Sequence, residues 1–182
     1  MPARRSTTLR IALVAALALG LAPVVAHAEP SPPGLRPQLQ LDGGLSVIGA
    51  GYEQPLARHL AVQLEAVVFG TYFLPWFDAG DTVVGAGGGI RPIWFVGAGG
   101  RGLYVAPYLR IIAVDSTSFT GASAVGVTAG AFLGWAFRLS TRLDLRLGIG
   151  AQYIRFGTPA TDGARAASTP FAALDAVLGY RL

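Results

Sequence analysis

His59 is the residue with the most chemistry to offer, because a histidine beside a nucleophile or an acid is the commonest hydrolytic arrangement. The chain of 182 residues has 2 histidines, His27 and His59. His27 belongs to a segment read below as removed. His59 has no serine or carboxylate next to it and sits between two strand-like stretches. A solvated turn residue is the expected state there, since most loop positions are simply surface. Glu53 and Glu65 are the alternative bases, and both fall on a face shared with arginines. The glycine-rich stretches 85–89 and 97–102 have no lysine to meet a phosphate, and the first lies inside a strand with no helix after it. With 0 cysteines, no disulfide or thiolate site can form. Asp78 and Asp81 offer a hard cation a weak contact at most. No catalytic residue, metal ligand or cofactor is assigned, and the chain reads as a non-enzyme.

The remaining polar residues do have a pattern. Gln38, Gln40, Glu53, Gln63, Glu65, Arg91, Tyr104, Tyr108, Arg110, Asp144, Arg146, Gln152, Asp175 and Arg181 stand at alternate positions between aliphatic residues. Eight of them, Glu53, Glu65, Arg91, Arg110, Asp144, Arg146, Asp175 and Arg181, carry charge of nearly balanced sign. Two readings fit such a face. One is a structural ion-pair network, because an isolated buried charge is costly. The other is a selectivity ring in a narrow channel for small solutes.

The alternation that places them is the period of a strand, whose successive side chains leave opposite faces. Leu60, Val62, Leu64, Ala66 and Val68 alternate with Ala61, Gln63, Glu65, Val67 and Phe69. Leu143, Leu145, Leu147, Ile149, Ala151 and Tyr153 alternate with Asp144, Arg146, Gly148, Gly150 and Gln152. Turn signals divide the chain into eight stretches: 36–42, 45–54, 60–74, 82–96, 102–115, 122–139, 142–156 and 169–182. An alternative merges the first two into a single long strand. Asp42-Gly43-Gly44 reads as a tight turn, and Pro92 predicts a bulge or irregular pairing in the fourth stretch. Hydrophobic residues make up 52% and charged ones 13%, with no helix-length apolar run after residue 28. The predicted fold is therefore all-β: an eight-stranded antiparallel up-and-down transmembrane β-barrel, apolar outside. Eight strands leave an interior only wide enough for side chains, which favours the network over the channel.

Connections 55–59, 97–101 and 140–141 are short and are expected in the periplasm. Those at 75–81, 116–121 and 157–168 are generally longer and are expected outside. Tyr52, Tyr72, Trp94, Trp135, Tyr153 and Tyr180 lie near strand ends on the apolar face, as interface aromatics do. A soluble lipocalin-like ligand-binding barrel would reverse the two faces. It would also need many more charged exterior residues than this chain has.

Residues 1–28 read as a signal peptide: Arg4, Arg5 and Arg10, an apolar run from Ile11 to Val25, then Ala26-His27-Ala28. Residues 29–35, with three prolines, form a leader, and 36–182 form the barrel domain. All 14 basic residues are arginine; 3 lie in the signal and all 10 acids lie after it, leaving a net +1. That balance and the dispersal of the arginines argue against nucleic acid.

The runs Gly51-Tyr52-Glu53, Leu56 to Leu60, Arg101 to Leu109 and Leu178 to Leu182 resemble those of small bacterial outer-membrane barrels of unknown function. Layout and size are similar to the OmpA-type eight-stranded transmembrane domain. The resemblance spans about residues 36–182 and implies no catalytic residue. It implies outer-membrane lipid as the surroundings, insertion by the barrel-assembly machinery of a Gram-negative cell, and a structural or surface-interaction role; a monomer is expected. Gly179 and Tyr180 match the usual C-terminal assembly signal; Leu182 departs from its customary final Phe.

Overall fold

The computed structural model describes residues 34–70, 84–97, 99–115, 123–157 and 168–182. The signal segment, most of the leader, Tyr72, Asp78 and Asp81 lie outside the described residues. Eight strands close into one antiparallel barrel in chain order. They are β1 (Gln38–Gly43), β2 (Val47–Ala57), β3 (Leu60–Gly70), β4 (Val84–Phe95), β5 (Gly102–Asp115), β6 (Ser123–Arg138), β7 (Leu143–Gly157) and β8 (Ser168–Arg181). β1 pairs with both β2 and β8, so the first two stretches are separate strands and no edge is left open.

Alternation sets the faces. On the outside Leu41, Ile48, Ile111, Trp94, Leu133 and Ile149 are exposed, Ile149 at 68%. On the inside Glu53, Gln63, Arg91 and Tyr104 are at most 1% exposed. This is the reverse of a soluble barrel.

Three details sharpen or correct the sequence reading. Asp42 is not a turn residue; it is buried on β1, on the same face as Gln38 and Gln40, and the turn follows with Gly44 N donating to Val47 O at 2.8 Å. Pro92 brings the irregular pairing expected of it, without a bulge. β4 pairs with β5 from Val84↔Asp115 to Ile90↔Leu109, then resumes at Trp94↔Val105 in the same register. The gap puts Pro92 opposite Pro107, two residues without an N–H to donate. The one register shift lies between Pro55 and Ala57, at the foot of β2. Finally, Leu35 is not loose leader: it is buried with Ala61, Ile93, Phe95 and Tyr104 at the short-turn end.

Candidate functional site

The interior is the site, and glycine determines its geometry. Tyr104, Gly134, Gly148 and Asp175 occupy one row across β5, β6, β7 and β8. Tyr104 lies along that row and donates its hydroxyl to Asp175 Oδ2 at 2.7 Å. A Cβ at Gly148 would stand 2.6 Å from the Tyr104 hydroxyl, and one at Gly134 would stand 2.7 Å from its ring. The same device recurs. Tyr108 crosses Gly130 to donate to Gln152 Oε1 at 2.8 Å. Arg110 and Glu65 flank Gly89, and Arg110 Nε donates to Glu65 Oε1 at 2.6 Å. In each row a missing Cβ opens a channel for the long side chain beside it.

The charged residues fall into three groups, of which the first two are linked. In the first, Arg91 meets Asp42 at 2.5 Å, Asp175 at 2.7 Å and Glu65 at 3.2 Å, and Arg110 meets Glu65 and, at 3.4 Å, Asp42. In the second, Arg146 Nη1 donates to Glu53 Oε2 at 2.7 Å, and Gln38 and Gln40 donate to the two oxygens of Glu53. Arg146 also donates to Gln63 Oε1 at 3.2 Å. Gln63 in turn donates to Glu65 at 3.4 Å, which joins the two groups. In the third, Arg181 donates to both oxygens of Asp144, at 2.6 and 2.5 Å.

All eight charged residues singled out from the sequence are therefore on the inside, and six of them converge on the first two groups. Asp42 shares the polar face with Gln38 and Gln40 by parity, and the structure keeps it there; only the turn-like Asp42-Gly43-Gly44 left it out of the inward set. Aromatic faces complete the packing. The Arg110 guanidinium carbon lies 4.4 Å from the Tyr108 ring centre, and that of Arg91 lies 5.2 Å from the Phe132 ring centre. Tyr108 and Phe132 stack with centres 4.9 Å apart.

Apolar side chains flank this polar layer. Val47, Val67, Phe69, Ile112, Val114 and Ile154 cluster toward the end away from the short turns. Leu35, Ile93, Phe95 and Ala136 cluster toward the short turns. Among the described residues no group of three His, Cys, Asp or Glu could hold a metal ion. His59 is not fully solvated as expected. It is half-buried, its Nδ1 is buried without a hydrogen-bond partner among the described residues, and its carbonyl accepts Phe95 N at 2.8 Å.

Those of the expected interface aromatics that lie among the described residues are on the outer face. Trp94, Trp135 and Tyr180 are 56%, 52% and 43% exposed, each near the short-turn end of its strand. Tyr153 is toward the other end. Tyr52 is not near a strand end as expected: it lies in the middle of β2, half-buried, and donates its hydroxyl to Gln54 at 2.9 Å.

No family model and no curated protein matches the chain. Two solved structures do. The crystal structure of Neisserial surface protein A has a TM-score of 0.51 at 13% identity, covering 81% of this chain and 95% of that one. The N-terminal β-barrel domain of Pseudomonas aeruginosa OprF has a TM-score of 0.45 at 12% identity, covering 80% and 96%. The first likeness supports the fold: an eight-stranded barrel of the OmpA-type layout.

Proposed function

We propose that this chain is an integral outer-membrane barrel with a structural or surface-interaction role, neither an enzyme nor a conducting pore. The observation that carries the reading is the inversion of the barrel. Its outer face is a belt of exposed aliphatic residues, and its inner face is an ion-paired layer between two apolar ones. A belt of that kind is stable in hydrocarbon and a liability in water. The short turns face the periplasm, after export by a signal peptide ending at Ala28, and the longer connections face outward, where a surface partner would meet them.

A channel needs a continuous wet path. Phe69 and Ile112 at one end and Ile93 and Phe95 at the other are each at most 1% exposed, which opposes one. Hydrolysis needs a base that can reach substrate, and the interior carboxylates are held by guanidinium groups. The test is fractionation with heat-modifiable gel mobility, followed by planar-bilayer recording of the folded protein. Recovery with outer membranes, a faster-migrating unheated form and silent bilayers are the expected results. A soluble, heat-insensitive protein would overturn the membrane assignment, and steady ion-selective conductance would overturn the closed lumen.

A further inference from the structure

The short-turn end carries a collar of arginine. Arg36, Arg58, Arg101 and Arg142 are exposed there, and Arg138 is half-exposed at the foot of β6. Asp144 is the acidic side chain among the described residues at this rim, and Arg181 holds both of its oxygens. Arg138 is left 3.8 Å from Asp144 and donates instead to Gly99 O at 2.9 Å. Its Nε has no hydrogen-bond partner among the described residues. Arg181, Arg101 and Arg36 all repel it. Among the described residues the rim is thus a concentration of positive charge whose one side-chain acid is already taken by Arg181. The long connections at the opposite end have the reverse composition, with Asp78, Asp81 and Asp162 against Arg165.

The level of the collar identifies its counter-charge. Trp135 and Arg138 lie three residues apart on β6. At about 3.3 Å per residue and a strand tilt near 40°, that is roughly 7–8 Å along the barrel axis. A headgroup layer is roughly 5–7 Å deep. With Trp94, Trp135 and Tyr180 taken as the edge of the hydrocarbon, the foot of β6 and the collar around it stand at the level of the lipid phosphates. Arg142 shows the arrangement directly: its Nη1 donates to the Tyr180 hydroxyl on the outer face at 3.1 Å, so its charge faces lipid and not the lumen. A guanidinium fork matches a phosphate's two oxygens.

We propose that this collar binds the phosphates of anionic phospholipid in the leaflet at the short-turn end, selecting it over zwitterionic lipid. The inference rests on the membrane reading above, and its test separates the two. Trp94 and Trp135 are built-in reporters at the rim. In a Trp76→Phe background, the barrel is folded into vesicles of phosphatidylcholine with one-quarter phosphatidylglycerol, and either lipid is supplied brominated to quench tryptophan. Wild type should show a preference of about fivefold for the anionic lipid, the size expected of one arginine at an anionic surface. Arg36→Gln/Arg58→Gln/Arg101→Gln/Arg142→Gln should bring it below about twofold. These four side chains are exposed, and unchanged heat-modifiable mobility verifies the fold. Equal quenching by both lipids would overturn the inference and leave the membrane reading standing. A preference that survives the four substitutions would also overturn it. No quenching by either lipid would overturn the membrane reading itself. Loss of the wild-type preference on adding millimolar glycerol phosphate would mean a site for free phosphate rather than for the leaflet.

Discussion

Tyr104 reaches Asp175 across two strands, hydroxyl to Oδ2 at 2.7 Å, and it does so over Gly134 and Gly148. Asp175 also takes Arg91 Nη1 at 2.7 Å, so this one hydrogen bond ties the aromatic wall of β5 to the ion-pair layer. Four residues in one row thus account for part of the glycine content that composition alone could only record.

Gly148→Ala should destabilise the barrel by about 1–3 kcal/mol, the usual cost of overpacking. Its added methyl stands 2.6 Å from the Tyr104 hydroxyl. Tyr104→Phe alone should cost about 1–2 kcal/mol, because Asp175 loses a buried donor. The double variant should cost less than the two losses added together, since removing the hydroxyl makes room for the methyl. Urea titrations of folding in lipid measure all three; strict additivity would mean that the row is not a unit.

Much of this was legible in the sequence. Period two gave the faces, and turn residues gave eight strands within a few residues of their ends. What was not legible depended on neighbours across the sheet. Nothing local in Gly134 or Gly148 says that a tyrosine passes over it; the β5–β6–β7 register does. Pro92 allows either a bulge or irregular pairing because one proline removes one donor; Pro107 opposite it decides for a gap that keeps its register. Leu35 looked like leader because prolines precede it, yet burial against Phe95 and Tyr104 outweighs local composition.

The outer face gives a depth-dependent prediction. Ile149, 68% exposed in the middle of β7, should cost about 2–4 kcal/mol when replaced by Arg, the value for a charge at the bilayer midplane. Leu143→Arg, beside the short turn, should cost about 0–1 kcal/mol because its charge reaches the interface. Folding titrations in vesicles of fixed thickness make the comparison. Equal costs at the two depths would remove the membrane as the cause.

His59 should be dispensable for any chemistry. It sits in the two-residue turn between β2 and β3, and its buried Nδ1 has no hydrogen-bond partner among the described residues. Purified barrel should release no fatty acid from phospholipid or lipopolysaccharide, and His59→Ala should behave identically. Turnover that His59→Ala abolishes would establish a hydrolase.

Arg91 is the residue on which the interior depends most, and its removal separates stability from conduction. It meets three carboxylates, Asp42, Glu65 and Asp175, and is 1% exposed. Arg91→Met keeps most of the side-chain length and leaves those three acids with Arg110 as their nearby cation, a buried excess of negative charge. Breaking a buried pair in this way costs about 3–5 kcal/mol. Arg91→Met/Asp175→Asn removes one acid as well and should recover part of the loss, because Tyr104 can still donate to the amide oxygen. On the proposed reading neither variant should conduct, because Phe69 and Ile112 on one side and Ile93 and Phe95 on the other stay buried across the interior. Folding titrations give the first result and planar-bilayer recording the second. If Arg91→Met opened a steady cation-selective pore, the guanidinium would be a gate held shut by its carboxylates, and the apolar layers would not be the seal that their burial indicates.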